Sequence, residues 1–100
     1  MQYENMLKHD DSSAENVARR LIFLRKYLCI SQKQFAIDLN TSAQHVSNWE
    51  SARNRLSLQG ALAIVEVYGV TLDFLFLNRY DTLPAQMRSA WLVFNRKDDK

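Results

Sequence analysis

One hundred residues, 47% hydrophobic and 24% charged, describe one domain with a core rather than a disordered chain. Two glycines and one proline are too few for an all-β chain of tight turns, and a single cysteine excludes an internal disulfide or a cysteine-rich zinc site. The net charge of +2 is unevenly spread: residues 16–57 carry seven basic side chains against two acidic, and the rest carry six against nine. A basic middle between acidic flanks suits a polyanion partner or an ordinary solvated surface, and charge alone does not choose between them.

Residues 1–11 show no periodicity and are expected as a loose leader. They lack the apolar stretch of a secretory signal, and no apolar run approaches the ~20 residues that span a bilayer, so a cytoplasmic location is expected. Ser12-Ser13-Ala14-Glu15 has capping-box spacing and predicts a helix start. Val17, Leu21, Leu24 and Leu28 then recur along one helical face, which predicts an end near Tyr27 or Leu28. Ser31 is the cap expected for a second helix, Gln32 to Leu39, with Phe35, Ala36 and Leu39 inward. Asn40-Thr41 makes a tight turn, because asparagine tolerates left-handed backbone. Ser42 caps a third helix to Glu50, with Val46 and Trp49 inward.

Residues 51–56 are polar and basic, hence a loop. Ser57 caps a fourth helix, Leu58 to Tyr68, with Leu58, Ala61, Leu62, Val65 and Tyr68 expected inward and Gly69 as its stop. Thr71 caps a short fifth helix that turns Leu72, Leu75 and Phe76 inward. Pro84 suits the first turn of a further helix bearing the stripe Leu83, Met87, Ala90, Trp91 and Phe94. The expected organisation is a leader, 1–11, a helix-turn-helix domain, 12–78, and a C-terminal extension, 79–100, for dimerisation or packing.

Two short capped helices joined by a tight turn are a helix-turn-helix plan. Residues Ser31 to Glu50 resemble the Cro/C1-type (Xre) helix-turn-helix family: Ser31, Gln32, Phe35 and Ala36 look like its second helix, and Ser42, Val46, Ser47, Trp49 and Glu50 like its third. The run Tyr68-Gly69-Val70-Thr71-Leu72-Asp73-Phe74-Leu75 is similar to its closing helices, so the resemblance covers about Asn16 to Leu77. It implies an all-α fold: a five-helix, lambda-repressor-like domain, here with an additional C-terminal helix.

With Val46 and Trp49 inward, Ala43, Gln44, Ser47 and Asn48 are left on the outer face of the third helix, as expected base readers. Gln44 and Asn48 are i, i+4 neighbours whose amides can both donate and accept, the pattern that pairs with the N6/N7 edge of adenine. In the family the matching positions face base edges. Phosphate contacts are expected from Gln32 and Ser42 at two helix starts, from His45, and from Arg53 and Arg55 just past the reading helix. The resemblance also implies an internal ion pair between Arg25 and Glu50.

The sequence departs from the family at Cys29, Asn40 and Ala52, where glycine is usual and the backbone often turns left-handed. Cys29 and Ala52 fit that backbone less well than Asn40, so the loops around them, and with them Arg53 and Arg55, are expected to differ in shape. Ile22, Phe23 and Ile37 stand where the family carries polar residues, and exposed apolar patches mark interfaces. The stripe Leu83, Met87, Trp91 and Phe94 therefore either folds back onto them or pairs across a two-fold axis, the latter being preferred.

The expected function is sequence-specific binding of double-stranded DNA by a homodimeric transcriptional regulator, a repressor by preference. The alternative is an antitoxin whose extension holds a toxin partner. A protein-binding adaptor on the same fold is a third class, disfavoured by the basic middle. No catalytic constellation, metal-ligand cluster or cofactor-binding loop is visible, so neither an enzyme nor a cofactor is expected.

Overall fold

Hydroxyl side chains set the helix starts. Ser31, Ser42, Ser57 and Thr71 each accept the N–H three residues on, from Gln34, His45, Gly60 and Phe74, at 3.0, 3.1, 3.0 and 3.0 Å. Each such cap contributes about 1 kcal/mol. In the computed structural model, which describes residues 9–98, these caps open α2 (Gln32–Asp38), α3 (Ala43–Glu50), α4 (Leu58–Tyr68) and α5 (Leu72–Leu77). They are preceded by α1 (Ala14–Tyr27) and followed by α6 (Ala85–Asp98). Short 3-10 turns at His9–Ser12 and Tyr80–Thr82 complete the described chain, in which there is no strand.

The cap of α1 is Ser13, one residue past the position that the box spacing suggested, and it accepts from Asn16 at 3.1 Å. Ser12 belongs instead to the preceding 3-10 turn, so the expected loose leader is already ordered from His9. The rest of that expectation, residues 1–8, lies outside the described residues.

The three positions where glycine was expected do turn left-handed: φ is 60° at Cys29, 57° at Asn40 and 63° at Ala52. The loops therefore keep the glycine geometry and the side chains carry the strain, roughly 1–2 kcal/mol per non-glycine residue. Glycine gives back part of that relief in chain entropy. Ala52→Gly and Cys29→Gly are each expected to add roughly 0.5–1 kcal/mol of stability. In a domain of this length that raises the thermal midpoint by a few degrees, on the order of 2–8 °C. A lowered midpoint in both variants would mean that the Cβ atoms make compensating contacts.

Phe35, Phe74, Leu21, Leu24, Ile64, Leu75, Val17 and Val46 are fully enclosed and join α1 to the four helices that follow it. Two expectations about facing are corrected. On α4 the inward stripe is Ala61 and Ile64, flanked by half-buried Val65 and Tyr68, while Leu58 and Leu62 are 65% and 48% exposed. The helix is apolar nearly all round, so periodicity alone could not fix its rotation. On α5 it is Phe74 with Leu75 that is buried, and Leu72 and Phe76 are half-covered.

The extension folds back on its own chain. Leu83 and Trp91 are each 2% exposed, and the Trp91 ring lies edge-on to Phe23 at 5.2 Å and to Phe74 at 5.4 Å. Phe94 adds a contact to Phe23 at 5.5 Å, and Met87 is half-buried against the same core. Phe23 is thus cover for the tail, whereas Ile37 remains 61% exposed and is not part of it. The preferred expectation, a tail free to pair across a two-fold axis, meets the difficulty that two of its four stripe residues are already enclosed within one chain.

Candidate nucleic-acid interface

The turn between α2 and α3 sets the interface. Left-handed Asn40 lets Thr41 N–H return to the Ala36 carbonyl at 2.9 Å, which closes α2 against the start of α3. Ala36 is buried at this close approach, and Val46 and Trp49 anchor α3 to the core. Ala43 and Gln44 are consequently exposed, with Ser47 and Asn48 half-exposed beside them on the same side of the helix. Gln44 Nε2 donates to Asn48 Oδ1 at 3.0 Å, so the two amides are linked into one polar plate. That pairing leaves the Gln44 carbonyl and the Asn48 NH₂ to face outward, an acceptor and donors in adjacent positions.

Beside this plate His45 stacks on Trp49, with ring centroids 6.2 Å apart and planes at 18°, and its Nδ1 lies 2.8 Å from Thr41 Oγ1. Ser42 is exposed, and its hydroxyl is used as the cap of α3. A groove of about 610 Å³ runs along the flank, lined among others by Asn40, Thr41, His45, Asn54, Arg55 and Gln59.

The loop after α3 is held by its main chain: Ala52 N–H bonds Trp49 O at 3.2 Å and Asn54 N–H bonds Asn48 O at 3.1 Å. Arg53 is exposed, and among the described residues its guanidinium makes no hydrogen bond. Arg55 is also exposed but donates through Nη1 to the Ser12 carbonyl at 2.6 Å, which ties the loop after α3 to the segment before α1. Gln32, expected at phosphate, uses its side chain within the fold: Nε2 donates to Glu50 Oε1 at 3.0 Å. The pair expected between α1 and α3 is present, with Arg25 Nε and Nη2 donating to Glu50 at 2.7 and 3.0 Å. Glu50 holds the Arg25 guanidinium charged, raising its pKa further despite partial burial.

The basic middle divides on inspection. Arg20 is buried and donates to the Leu75 carbonyl at 2.8 Å, Arg19 donates to Asn95 Oδ1 at 2.7 Å, and Arg25 holds Glu50. The cations left exposed are Lys26, Lys33, Arg53 and Arg55. Among the described residues, no group of three His, Cys, Asp or Glu side chains could hold a metal, and no helix is long and apolar enough to cross a membrane.

Sequence reasoning missed Gly60. A Cβ there would stand 2.6 Å from Trp49 Cη2, so the absence of a side chain on α4 is what lets Trp49 seat α3 at its depth. A glycine in the first turn of a strongly apolar helix was the available signal, since glycine inside a helix usually has a packing reason. Tyr68 was read only as core, yet its hydroxyl donates to Asp38 Oδ2 at 2.8 Å and links α4 to α2.

The helix-turn-helix family model matches residues 24–75, and the chain belongs to this family, in its Cro/C1-type branch. Its helix-turn-helix domain is a DNA-binding regulatory domain. No match was found among curated proteins or among solved structures.

Proposed function

We propose that the protein is a sequence-specific transcriptional regulator, a repressor by preference, that sets α3 into the major groove of its operator. The observation that carries this is the Gln44–Asn48 plate, two joined amides held outward by a helix whose other side is locked by Val46 and Trp49. Amide pairs of this kind discriminate adenine from other bases through bidentate contact. Ala43 and Ser47 complete the reading face. Arg53, with Lys33 near the start of α2 and Ser42 and His45 on α3, supplies phosphate contacts that position without specifying. Arg55 has its Ser12 bond as well, so its contribution is the smaller of the two arginines.

A two-fold dimer on half-sites about one helical turn, roughly 34 Å, apart suits this motif. Leu83 and Trp91 of the tail stripe are spent inside the chain, so what a second subunit would meet is apolar surface left open beside them, Leu92 and Val93 on α6, or Leu58 and Leu62 on α4. An antitoxin would instead hold its toxin through Leu92 and Val93, which stay 41% and 45% exposed on α6.

The test is selection of bound sites from a random duplex pool, followed by competition with single-base variants of the selected site. Gln44→Ala and Asn48→Ala are each expected to flatten discrimination at particular base pairs by about 1–3 kcal/mol. Binding that weakens equally for every sequence would remove the two amides from the reading role. A selected pool without any shared sequence would overturn specific recognition itself.

A further inference from the structure

Gly60 stands in the first turn of α4, where the backbone is ordinary helix; the left-handed glycine of the described residues is Gly69. Glycine in a helix is less favourable than alanine, so Gly60 needs a reason in space rather than in conformation. That reason lies on α3. A Cβ at position 60 would stand 2.6 Å from Trp49 Cη2, 2.9 Å from Trp49 Cζ2 and 3.1 Å from Ser57 Oγ, the last tight rather than forbidden. The far edge of the indole therefore rests on bare α4 backbone.

Trp49 can give way only by moving what it holds. It is 7% exposed, and His45 is stacked on its ring with the planes at 18°. His45 is tied in turn through Nδ1 to Thr41 Oγ1, in the turn before α3. His45 and Trp49 both line the groove on this flank, so a swing of the indole into it displaces His45. The other fastenings of α3 lead elsewhere: Val46 enters the shared core, and Glu50 takes Arg25 of α1 and Gln32 of α2. Trp49 against Gly60 is what refers α3 to α4.

Ordinary carbon contacts lie at about 3.5–4.0 Å, so a methyl group at position 60 moves the indole edge by roughly 1 Å. A hydrogen bond has less latitude: from a usual length of about 2.9 Å, a shift of about half an ångström brings it to its limit. We propose that Gly60 is a positioning residue for base reading: through Trp49, its missing side chain sets how far Gln44 and Asn48 stand out from the domain, and so how sharply the protein discriminates between sequences. The inference rests on the base-reading role proposed for α3. A side chain at position 60 misplaces the Gln44–Asn48 plate and leaves its polar groups intact.

The experiment is a double-substitution cycle on the full chain: Gly60→Ala, Trp49→Phe and the two together. Trp49→Phe removes the two ring carbons that a Cβ would meet, and so makes room for the methyl group. Each variant is measured for discrimination between the selected duplex and its single-base variants, for amide NMR shifts without DNA, and for its urea midpoint. Gly60→Ala is expected to lose about tenfold in discrimination, within the range of one bidentate contact. Its amide shifts are expected along residues 43–50, and its midpoint near the parent's, because alanine's better helix propensity offsets strain. A merely structural glycine would not lower discrimination at an unchanged midpoint. Discrimination is a ratio of affinities, so an unfolded fraction cancels from it. The double variant is expected to recover several-fold over Gly60→Ala, and if Trp49→Phe does not fold, the Gly60→Ala ratio decides alone. Parental discrimination in Gly60→Ala, shifts confined to the Trp49 and His45 rings, or a double variant no better than Gly60→Ala each overturn the proposal. A parent that discriminates between no sequences overturns the reading by α3 itself, and this role with it.

Discussion

Replacing Trp91 by alanine is expected to cost about 3–5 kcal/mol of folding stability, as for other enclosed large aromatics. Total stabilities run from about 5 to 15 kcal/mol, so one side chain of the extension carries a large share of the whole. The reason lies in its position. Trp91 touches rings on three sides, edge-on to Phe23 at 5.2 Å and Phe74 at 5.4 Å and stacked with Phe94 at 5.9 Å. Two of those rings belong to helices of the family domain itself, Phe23 on α1 and Phe74 on α5. Truncation before Leu83 goes further, because it also removes Leu83 and uncovers Phe23 and Phe74 to water. Urea unfolding followed by circular dichroism measures both variants. The truncated chain is expected to be largely unfolded or to aggregate through the uncovered rings. A folded, monomeric truncated chain with weakened operator binding would restore the extension as a removable dimerisation module.

That expected result reverses what the sequence suggested, and the reversal shows where sequence patterns stop. The helix starts were legible because each depends on one local hydroxyl and one N–H three residues on: Ser31, Ser42, Ser57 and Thr71 all cap as expected. The outward face of α3 was legible because α3 has only two large apolar side chains, Val46 and Trp49, and they fix its rotation. The rotation of α4 was not, because Leu58, Leu62, Ile64, Val65 and Val67 spread apolar surface round the helix and only Gln59 and Glu66 mark its solvent side. The partner of the tail was not legible either. An amphipathic stripe states that it must be covered and is silent on whether its own chain or another does so. Phe23 was noticed as apolar where a polar residue is usual, but its pairing with Trp91 spans 68 positions of sequence, beyond any local pattern. Charge left the choice between a polyanion partner and a solvated surface open; of the seven basic side chains in residues 16–57, Arg19 and Arg20 are used inside the fold, as Arg25 was expected to be.

Glu50→Ala is expected to destabilise the protein by about 3 kcal/mol, at the low end of what breaking a buried ion pair costs. The Glu50 carboxylate is 5% exposed and takes two bonds from Arg25 and one from Gln32, so its loss strands three donor groups on two side chains at once. Arg25, at 16% exposed, keeps some access to water and a further bond from Nη1 to the Ile30 carbonyl at 3.0 Å, which softens the loss. Three segments meet at this carboxylate: α1 through Arg25, the start of α2 through Gln32, and the end of α3 through Glu50 itself. Glu50→Ala therefore loosens the seat of α3 as well as the core, and on the proposed function operator affinity should fall even in the fraction that remains folded. Glu50→Gln keeps the shape and one acceptor while removing the charge, and is expected to fall between parent and alanine variant. The double variant Arg25→Met, Glu50→Leu removes both charges and leaves apolar groups of similar size, which often recovers most of the stability of a broken pair. Its stability is expected to exceed that of Glu50→Ala, although Gln32 still lacks its acceptor. Denaturant midpoints at a common slope compare the three. A loss below about 1 kcal/mol for Glu50→Ala would place the pair with exposed surface bridges, whose contribution is that small. The angle between α2 and α3 would then rest on Ala36, Val46, Trp49 and the Asn40–Thr41 turn.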